Sequence, residues 1–271
     1  MKIACLAPTY GRPAEVLARS AYCFMQQQYP LTERRLLLFD DCGNVCPQID
    51  GMPIATTSMG RQMELLRADD WRVAVVSTPT RSNDLGTKYN QMLSMLGDWP
   101  EAYAVWDDDD LYLPMHLQNI ATALNSSTRY QWAHPLRVWS TYTGRPQLEG
   151  AAGRFHGSLA LRADFCRSVG GWIETRRADF DQQMLARCAA AGRPAPYDAA
   201  SGPTYVFTWQ DSGATHCQGL MRSPDDETWW EANAKTNVPY VSSIVPSLGR
   251  HHADVMAHCI VANARMTGGA P

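Results

Sequence analysis

The chain has 271 residues, 45% of them hydrophobic and 19% charged, and a formal net charge of −3 at pH 7. That leaves room for one large or two modest domains, and a sequence pI near 6.1 excludes a global basic field that would hold nucleic acid by its phosphates. The apolar part of the opening MKIACLAPTYGRP is too short for a signal peptide or membrane span, and no later stretch reaches the roughly 18 apolar residues a spanning helix needs. A cytoplasmic location is the expectation.

The first half alternates short apolar runs with amphipathic segments, the pattern of strands joined by crossover helices in a mostly parallel sheet. KIACLAP reads as the first strand, and residues 13–28 read as a helix with Pro13 just inside its start. RRLLLFD and RVAVVST (72–78) read as strands, Leu85 to Leu96 as a helix, and AYAVWD (102–107) as a strand that delivers four consecutive acids. In open α/β sheets, ligands bind outside the carboxyl ends of strands. Those ends carry Pro8-Thr9-Tyr10, Asp40-Asp41, Ser77 and Asp107 to Asp110, so polar groups from separate strands converge on one edge.

Past residue 125 the pattern changes. Residues 129–150 read as antiparallel strands around a Thr143-Gly144 turn, and 158–172 as a strand running into a short helix. A helix is expected over about 178–192, and TYVFTW (204–209) as a late strand before a polar, Trp-rich, helical remainder. Eight cysteines are scattered and mostly lie in apolar stretches, which predicts buried free thiols. His251, His252 and His258 fit no common metal spacing and read as a solvated helix face or tail.

The stretch VWDDDDLYLP (105–114) asks for a chemical reason. Two carboxylates about 4 Å apart repel by roughly 1 kcal/mol even in water. A hard divalent cation offsets this, and magnesium is usually held by one or two carboxylates plus substrate phosphates. The alternative is a solvated acidic turn. Successive strand residues face opposite sides, so four acids in a row cannot all ligate one ion.

Six segments, in order over roughly residues 3–220, resemble a family 2 glycosyltransferase of the GT-A fold. ACLAPTYGRP is similar to the family's "PTYNRP", with Gly11 in place of Asn, and LLLFDDCG to "vvDDgS". DLGTKYNQML resembles "G-x-K/R-x-N", and WDDDDLYLP resembles "DxDD…P". SVGGW followed by ADFDQQMLAR resembles "GGf…EDxdlxxR", with Ala178 in place of Glu. TYVFTWQDSGATH resembles the closing "y-x-x-RW…H", with Thr208 in place of Arg.

The resemblance implies an α/β fold class: a GT-A-type, Rossmann-like sandwich with a mostly parallel central sheet, a small antiparallel part and a helical C-terminal segment. It implies one glycosyltransferase domain over 1–220, with a nucleotide-binding half (1–125) and an acceptor and catalytic half (126–220), and a helical extension of the same domain over 221–271. The activity implied is metal-dependent, inverting transfer from a UDP- or dTDP-like sugar nucleotide, with Mn2+ or Mg2+ as cofactor.

Asp107 and Asp109 match the metal pair, Asp108 or Asp107 faces the ribose, and His216 matches a late metal-shell histidine. Asp110 is expected to cap the helix after Pro114 or bond its own loop. Pro8, Thr9, Tyr10 and Arg12 are assigned to the nucleotide, Asp40 or Asp41 to the base's imide proton, and Lys88 to phosphate or ribose. Gly171 supplies open backbone near the donor sugar, Trp172 a flat face for stacking, and His156-Gly157-Ser158 a pocket lining. The family's base falls on Asp179, with Asp181 as the other candidate and a helix-terminal role as the structural alternative for either.

Two further classes compete: a sugar-phosphate nucleotidyltransferase, and a non-catalytic sugar-nucleotide or glycan-binding module. The acceptor stays open among a glycan, a metabolite, a protein and a modified DNA base. Trp229-Trp230 is a candidate acceptor cover.

Overall fold

Continuously buried strands build this molecule around a central eight-stranded sheet. The structure, a computed structural model, describes residues 1–45, 54–55, 71–177, 179–195, 197, 202–208, 241 and 243–268. In chain order the strands and helices begin with β1 (Ile3–Thr9), α1 (Ala14–Met25), β2 (Arg34–Asp40), β3 (Ile54–Ala55), β4 (Val73–Ser77) and α2 (Leu85–Leu96). Next come β5 (Ala102–Val105), β6 (Leu111–Tyr112), α3 (His116–Asn125), β7 (Tyr130–Ala133), β8 (Arg137–Ser140) and β9 (Gln147–Gly150). The last are β10 (Ala160–Arg162), α4 (Ala163–Ser168), α5 (Phe180–Ala191), β11 (Arg193–Ala195), β12 (Tyr205–Phe207) and α6 (Arg250–Met266).

The central sheet runs β11-β7-β10-β5-β1-β2-β4-β3, and a second sheet runs β6-β12-β8-β9. In the central sheet only β10 is antiparallel to its neighbours β5 and β7. The expected mostly parallel sheet with a small antiparallel part is therefore the observed one. β1 and β2 bury both faces, as a parallel sheet covered on both sides requires. Ile3, Cys5 and Ala7 enter one core with α1, α3, the second sheet and α6. Ala4 and Leu6 enter the other with α2, α4 and α5.

Local chemistry sets the helix ends. Asp84 accepts the Thr87 N–H at 2.8 Å as the N-cap of α2, and Gly97, at φ 56°, ends it. Pro13 sits at the N-cap of α1, one position before the helix.

The reading of 129–150 as one antiparallel unit is corrected. β7 leaves for the central sheet, where it pairs β10 and β11, and only β8 and β9 form the hairpin, closed by Gly144 at φ 80°. Of the helical C-terminal segment, α6 is observed; residues 209–240 lie outside the described residues. The described cysteines are all free, five of them buried and Cys42 half-buried. No helix among the described residues is long and apolar enough to cross a membrane.

Candidate active site

The carboxyl ends of β1, β2, β4 and β5 meet, as the chain order implies. The Asp40 carboxylate accepts from the backbone N–H of Gly11 (3.4 Å), Cys42 (3.3 Å), Asn44 (3.0 Å) and Val45 (3.3 Å), and from Ser77 Oγ (2.9 Å). A carboxylate has about four lone-pair sites, so Asp40 is fully used in tying three strand ends together. Asp41 accepts from Lys88 Nζ at 2.6 Å and from the Ser82 N–H at 2.9 Å. Lys88 also donates to the Thr9 carbonyl. It is 4% exposed, and burial lowers its pKa against the pull of Asp41.

These placements change three expectations. Lys88 is a brace between β1 and the β2 end, with its ammonium spent inside the protein instead of facing phosphate. Asp40 and Asp41 are likewise occupied, so base recognition by either requires exchange of a donor. Arg12, 2% exposed, is not directed at the nucleotide: its Nε lies 3.1 Å from both Asp108 oxygens and its Nη2 2.8 Å from Asp109 Oδ2. Burial opposes its charge, but Asp108 and Asp109 outweigh that and raise its pKa.

Of the first-strand group, Pro8 and Tyr10 are half-exposed at the edge, and the Tyr10 ring lies 4.7 Å from the Arg81 guanidinium carbon. Thr9 is buried with a hydroxyl that has no hydrogen-bond partner.

The four acids serve four different ends. The Asp107 N–H donates to Tyr112 Oη at 2.6 Å, and that hydroxyl donates to the Gly157 carbonyl at 3.0 Å. Burial raises the Asp107 carboxyl well above the usual range, reinforced by Asp110, Asp109, Asp108 and Asp181, with no hydrogen bond to offset it. Asp108 belongs to Arg12. Asp109 is raised by burial, with Arg12 pulling it back, and its carbonyl accepts from Arg19 Nη2 at 2.6 Å and from Thr208 Oγ1.

Asp110 neither caps the following helix nor bonds its own loop. It accepts from Tyr205 Oη and from the Thr208 N–H at 2.8 Å, joining β5 to β12. Burial and then Asp109 push it up to about 8.

The His156–Ser158 turn abuts this cluster. A Cβ on Gly157 would overlap the Asp107 carboxylate and lie 2.7 Å from Tyr205 Oη. Phe155 before it sits at φ 60°, the left-handed region that bulky side chains rarely occupy.

Trp172 and Gly171 are packed inside the protein. Trp172 is 2% exposed, stacked on Tyr89 at 4.8 Å, and donates from Nε1 to His156 Nε2 at 3.0 Å, so it has no face for a sugar. Gly171, at φ 76°, is buried where a Cβ would lie 2.5 Å from Asn90 Oδ1. That carboxamide clasps the Trp172 backbone, accepting from its N–H at 2.8 Å and donating to its carbonyl at 3.1 Å.

The two base candidates also separate. Asp179 accepts from Arg177 (3.0 and 3.3 Å) and from Gln183 Nε2 (2.7 Å), and the Arg177 bond lowers its pKa. Asp181 is raised by burial and is one of the charges acting on Asp107.

His216 and Trp229-Trp230 lie outside the described residues. Among the described residues no three His, Cys, Asp or Glu side chains form a ready-made metal cage. A donor set of two carboxylates, to be completed by ligand oxygens, still fits a hard cation, because a cation would offset the burial and the repulsion from neighbouring acids that raise the Asp107 carboxyl. The histidine group at the C-terminal end is not simply solvated: His252 Nε2 lies 2.5 Å from Arg19 Nη1, and His258 meets Trp139 edge-on.

Sequence reasoning did not single out Tyr112, Tyr205, Arg19 or Arg177. Tyr112, Tyr205 and Arg19 act through tertiary contacts that no local spacing encodes, whereas Arg177 bonds Asp179 only two residues on.

No protein-family model and no curated protein matches the chain. Solved structures do. S. aureus TarS 1–349 matches with a TM-score of 0.55 at 17% identity, over 77% of this chain and 60% of that one. Its complex with UDP-GlcNAc matches at 0.58 and 17%, over 98% and 73%. The mannosyltransferase PcManGT from Pyrobaculum calidifontis, in complex with GDP-Man and Mn2+, matches at 0.51 and 15%, over 100% and 76%. This chain thus spans about 60% of the length of TarS 1–349. At such identities the likeness concerns the fold, and the chain has the GT-A-type glycosyltransferase fold that its sequence resemblance implied.

Proposed function

We propose that this chain is a metal-dependent, inverting glycosyltransferase that moves a sugar from a nucleoside-diphosphate donor, UDP- or dTDP-like, to an acceptor hydroxyl. The observation that carries this reading is Asp107. A half-buried carboxylate beside three other acids, raised by burial and by their charge, at the carboxyl end of a central strand, is a place for a cation and the phosphates it brings. The fold adds support, since structural neighbours are complexes with UDP-GlcNAc and with GDP-Man and Mn2+.

Asp107 and Asp109 would hold Mn2+ or Mg2+. When bound, the ion neutralises charge on the departing nucleoside diphosphate. Arg12 pairs with Asp108 and Asp109 and fixes the loop. Thr9 Oγ1, buried without a partner, and the Tyr10 ring form the nucleotide side. Lys88 and Asp41 lock the strand ends beneath them.

Asp181 takes the acceptor proton in this reading, ahead of Asp179. Proton abstraction needs a carboxylate whose pKa is raised toward the working pH, and burial raises Asp181. Asp179 is already satisfied by Arg177 and Gln183 and serves to anchor the start of α5. Attack by the deprotonated hydroxyl opposite the leaving diphosphate inverts the anomeric carbon.

The test is nucleoside-diphosphate release from a panel of UDP-, dTDP- and GDP-sugars, with Mn2+ and with a chelator. Metal-dependent release that is lost in Asp107→Asn supports the reading. Release indifferent to chelation removes the metal, and no release from any donor removes the activity.

A further inference from the structure

A buried hydroxyl on the helix that follows β4 has no partner. Tyr89, on α2, is 0% exposed, and its Oη is buried with no hydrogen bond. Such groups are uncommon, because a buried polar atom left unsatisfied costs about 1–3 kcal/mol. The ring itself is tightly placed. It stacks on Trp172 at 4.8 Å and lies near-parallel to Phe180 at 6.2 Å, and His156 meets it edge-on at 5.5 Å. Those contacts place the ring beside the turn and the helix that carry the site. His156 precedes Gly157, which abuts the Asp107 carboxylate, and Phe180 lies between Asp179 and Asp181 on α5. Consistently, the charges that act on the phenol are those of Asp107, Asp108, Asp109 and Asp181.

We infer that Tyr89 is a donor-sugar-binding residue, whose hydroxyl donates a hydrogen bond to an oxygen of the sugar being transferred. This rests on the glycosyltransferase reading above, and it goes beyond that reading by naming the group that holds the sugar. In that reaction the anomeric carbon must lie between the diphosphate, at Asp107 and Asp109, and the base, at Asp181. Tyr89 is a neutral donor whose ring touches both His156, next to Gly157, and Phe180, next to Asp181. Burial keeps the phenol protonated, so it donates and adds no charge to a region already rich in carboxylates. Packing against Trp172, Phe180 and His156 explains why the hydroxyl cannot swing to a partner elsewhere: the ring is held on several sides.

The test is Tyr89→Phe, which removes one oxygen and keeps the stack. Thermal unfolding is measured without ligand, and calorimetric titration is run with Mn2+ and UDP, dTDP, GDP, UDP-GlcNAc, dTDP-glucose and GDP-mannose on both proteins. The inference expects a Tm that is unchanged or raised, since an unsatisfied group has been deleted. It expects affinity for the sugar nucleotide to fall about tenfold, with affinity for the matching sugar-free diphosphate unchanged. A lowered Tm with sugar-nucleotide affinity intact makes Tyr89 a structural residue and overturns the inference. Equal losses for the diphosphate and the sugar nucleotide overturn it too, since the contact would then not be with the sugar. If the wild type binds a diphosphate but gains nothing from an attached sugar, this inference alone fails. If it binds no nucleotide, the glycosyltransferase reading fails and takes this one with it.

Discussion

The Arg12 guanidinium spans Asp108 and Asp109, with Nε 3.1 Å from both oxygens of the first and Nη2 2.8 Å from Oδ2 of the second. One residue from the β1–α1 turn thereby holds half of the acid loop in place. Removing one partner of a buried ion pair costs about 3–5 kcal/mol, because the remaining charge stays desolvated. Arg12→Ala is therefore expected to lower the unfolding free energy by about 3 kcal/mol in denaturant titrations, with partial recovery in Mn2+. A loss under about 1 kcal/mol would mean that solvent, and not Arg12, balances these acids.

Gly157→Ala tests the packing of the turn against the site. The new methyl would overlap the Asp107 carboxylate and sit 2.7 Å from Tyr205 Oη. Since displacing a functional group by about 1 Å can cost on the order of 100-fold, Mn2+-dependent nucleotide affinity is expected to fall at least tenfold. Unchanged affinity would show that Asp107 does not contribute to the bound state.

The two acids of α5 are separated by their amides. Asp181→Asn is expected to lower kcat by about 10²–10⁴ with donor affinity retained, as loss of a general base does. Asp179→Asn should weaken the Arg177 and Gln183 contacts and change kcat far less. The reverse order, read from initial rates, would return the base to Asp179.

Stability should respond to acid through His116. It is fully buried, its Nδ1 is 3.0 Å from both Thr204 Oγ1 and Tyr197 Oη, and burial lowers its pKa from 6.5 to about 3. A depressed folded pKa gives stability that is complete above the unfolded value and declines as pH falls from about 6.5 toward about 3. One proton taken up on unfolding corresponds to a slope of about 1.4 kcal/mol per pH unit. Urea unfolding between pH 4 and 7 measures it, and His116→Gln should reduce the slope by that amount. An unaltered slope would assign the acid lability to other groups.

The sheet was legible because its strands are buried on both faces: RRLLLFD coincides with β2. Leu85 to Leu96 was legible because Asp84 caps it and Gly97 ends it. The short strands β3, β6 and β11, of two or three residues, were not, since no period can be read from so few positions. β7 was assigned to a hairpin because local alternation says which residues pair readily, not which sheet receives them. The acids at the strand ends were legible as a group, but their division of labour was not. Arg12, Lys88 and Trp172 look ligand-directed by type and position. Only the fold reveals that their polar groups are already spent on Asp108 and Asp109, on Asp41 and on His156.

The most direct test of the central claim, that the acid cluster after β5 binds a cation together with a nucleoside diphosphate, is calorimetric titration of UDP and GDP into wild type and Asp107→Asn, each with and without Mn2+. The account predicts binding of one diphosphate that requires Mn2+ and disappears in the variant. Binding that is equal with and without the metal, or equal in the two proteins, would contradict it.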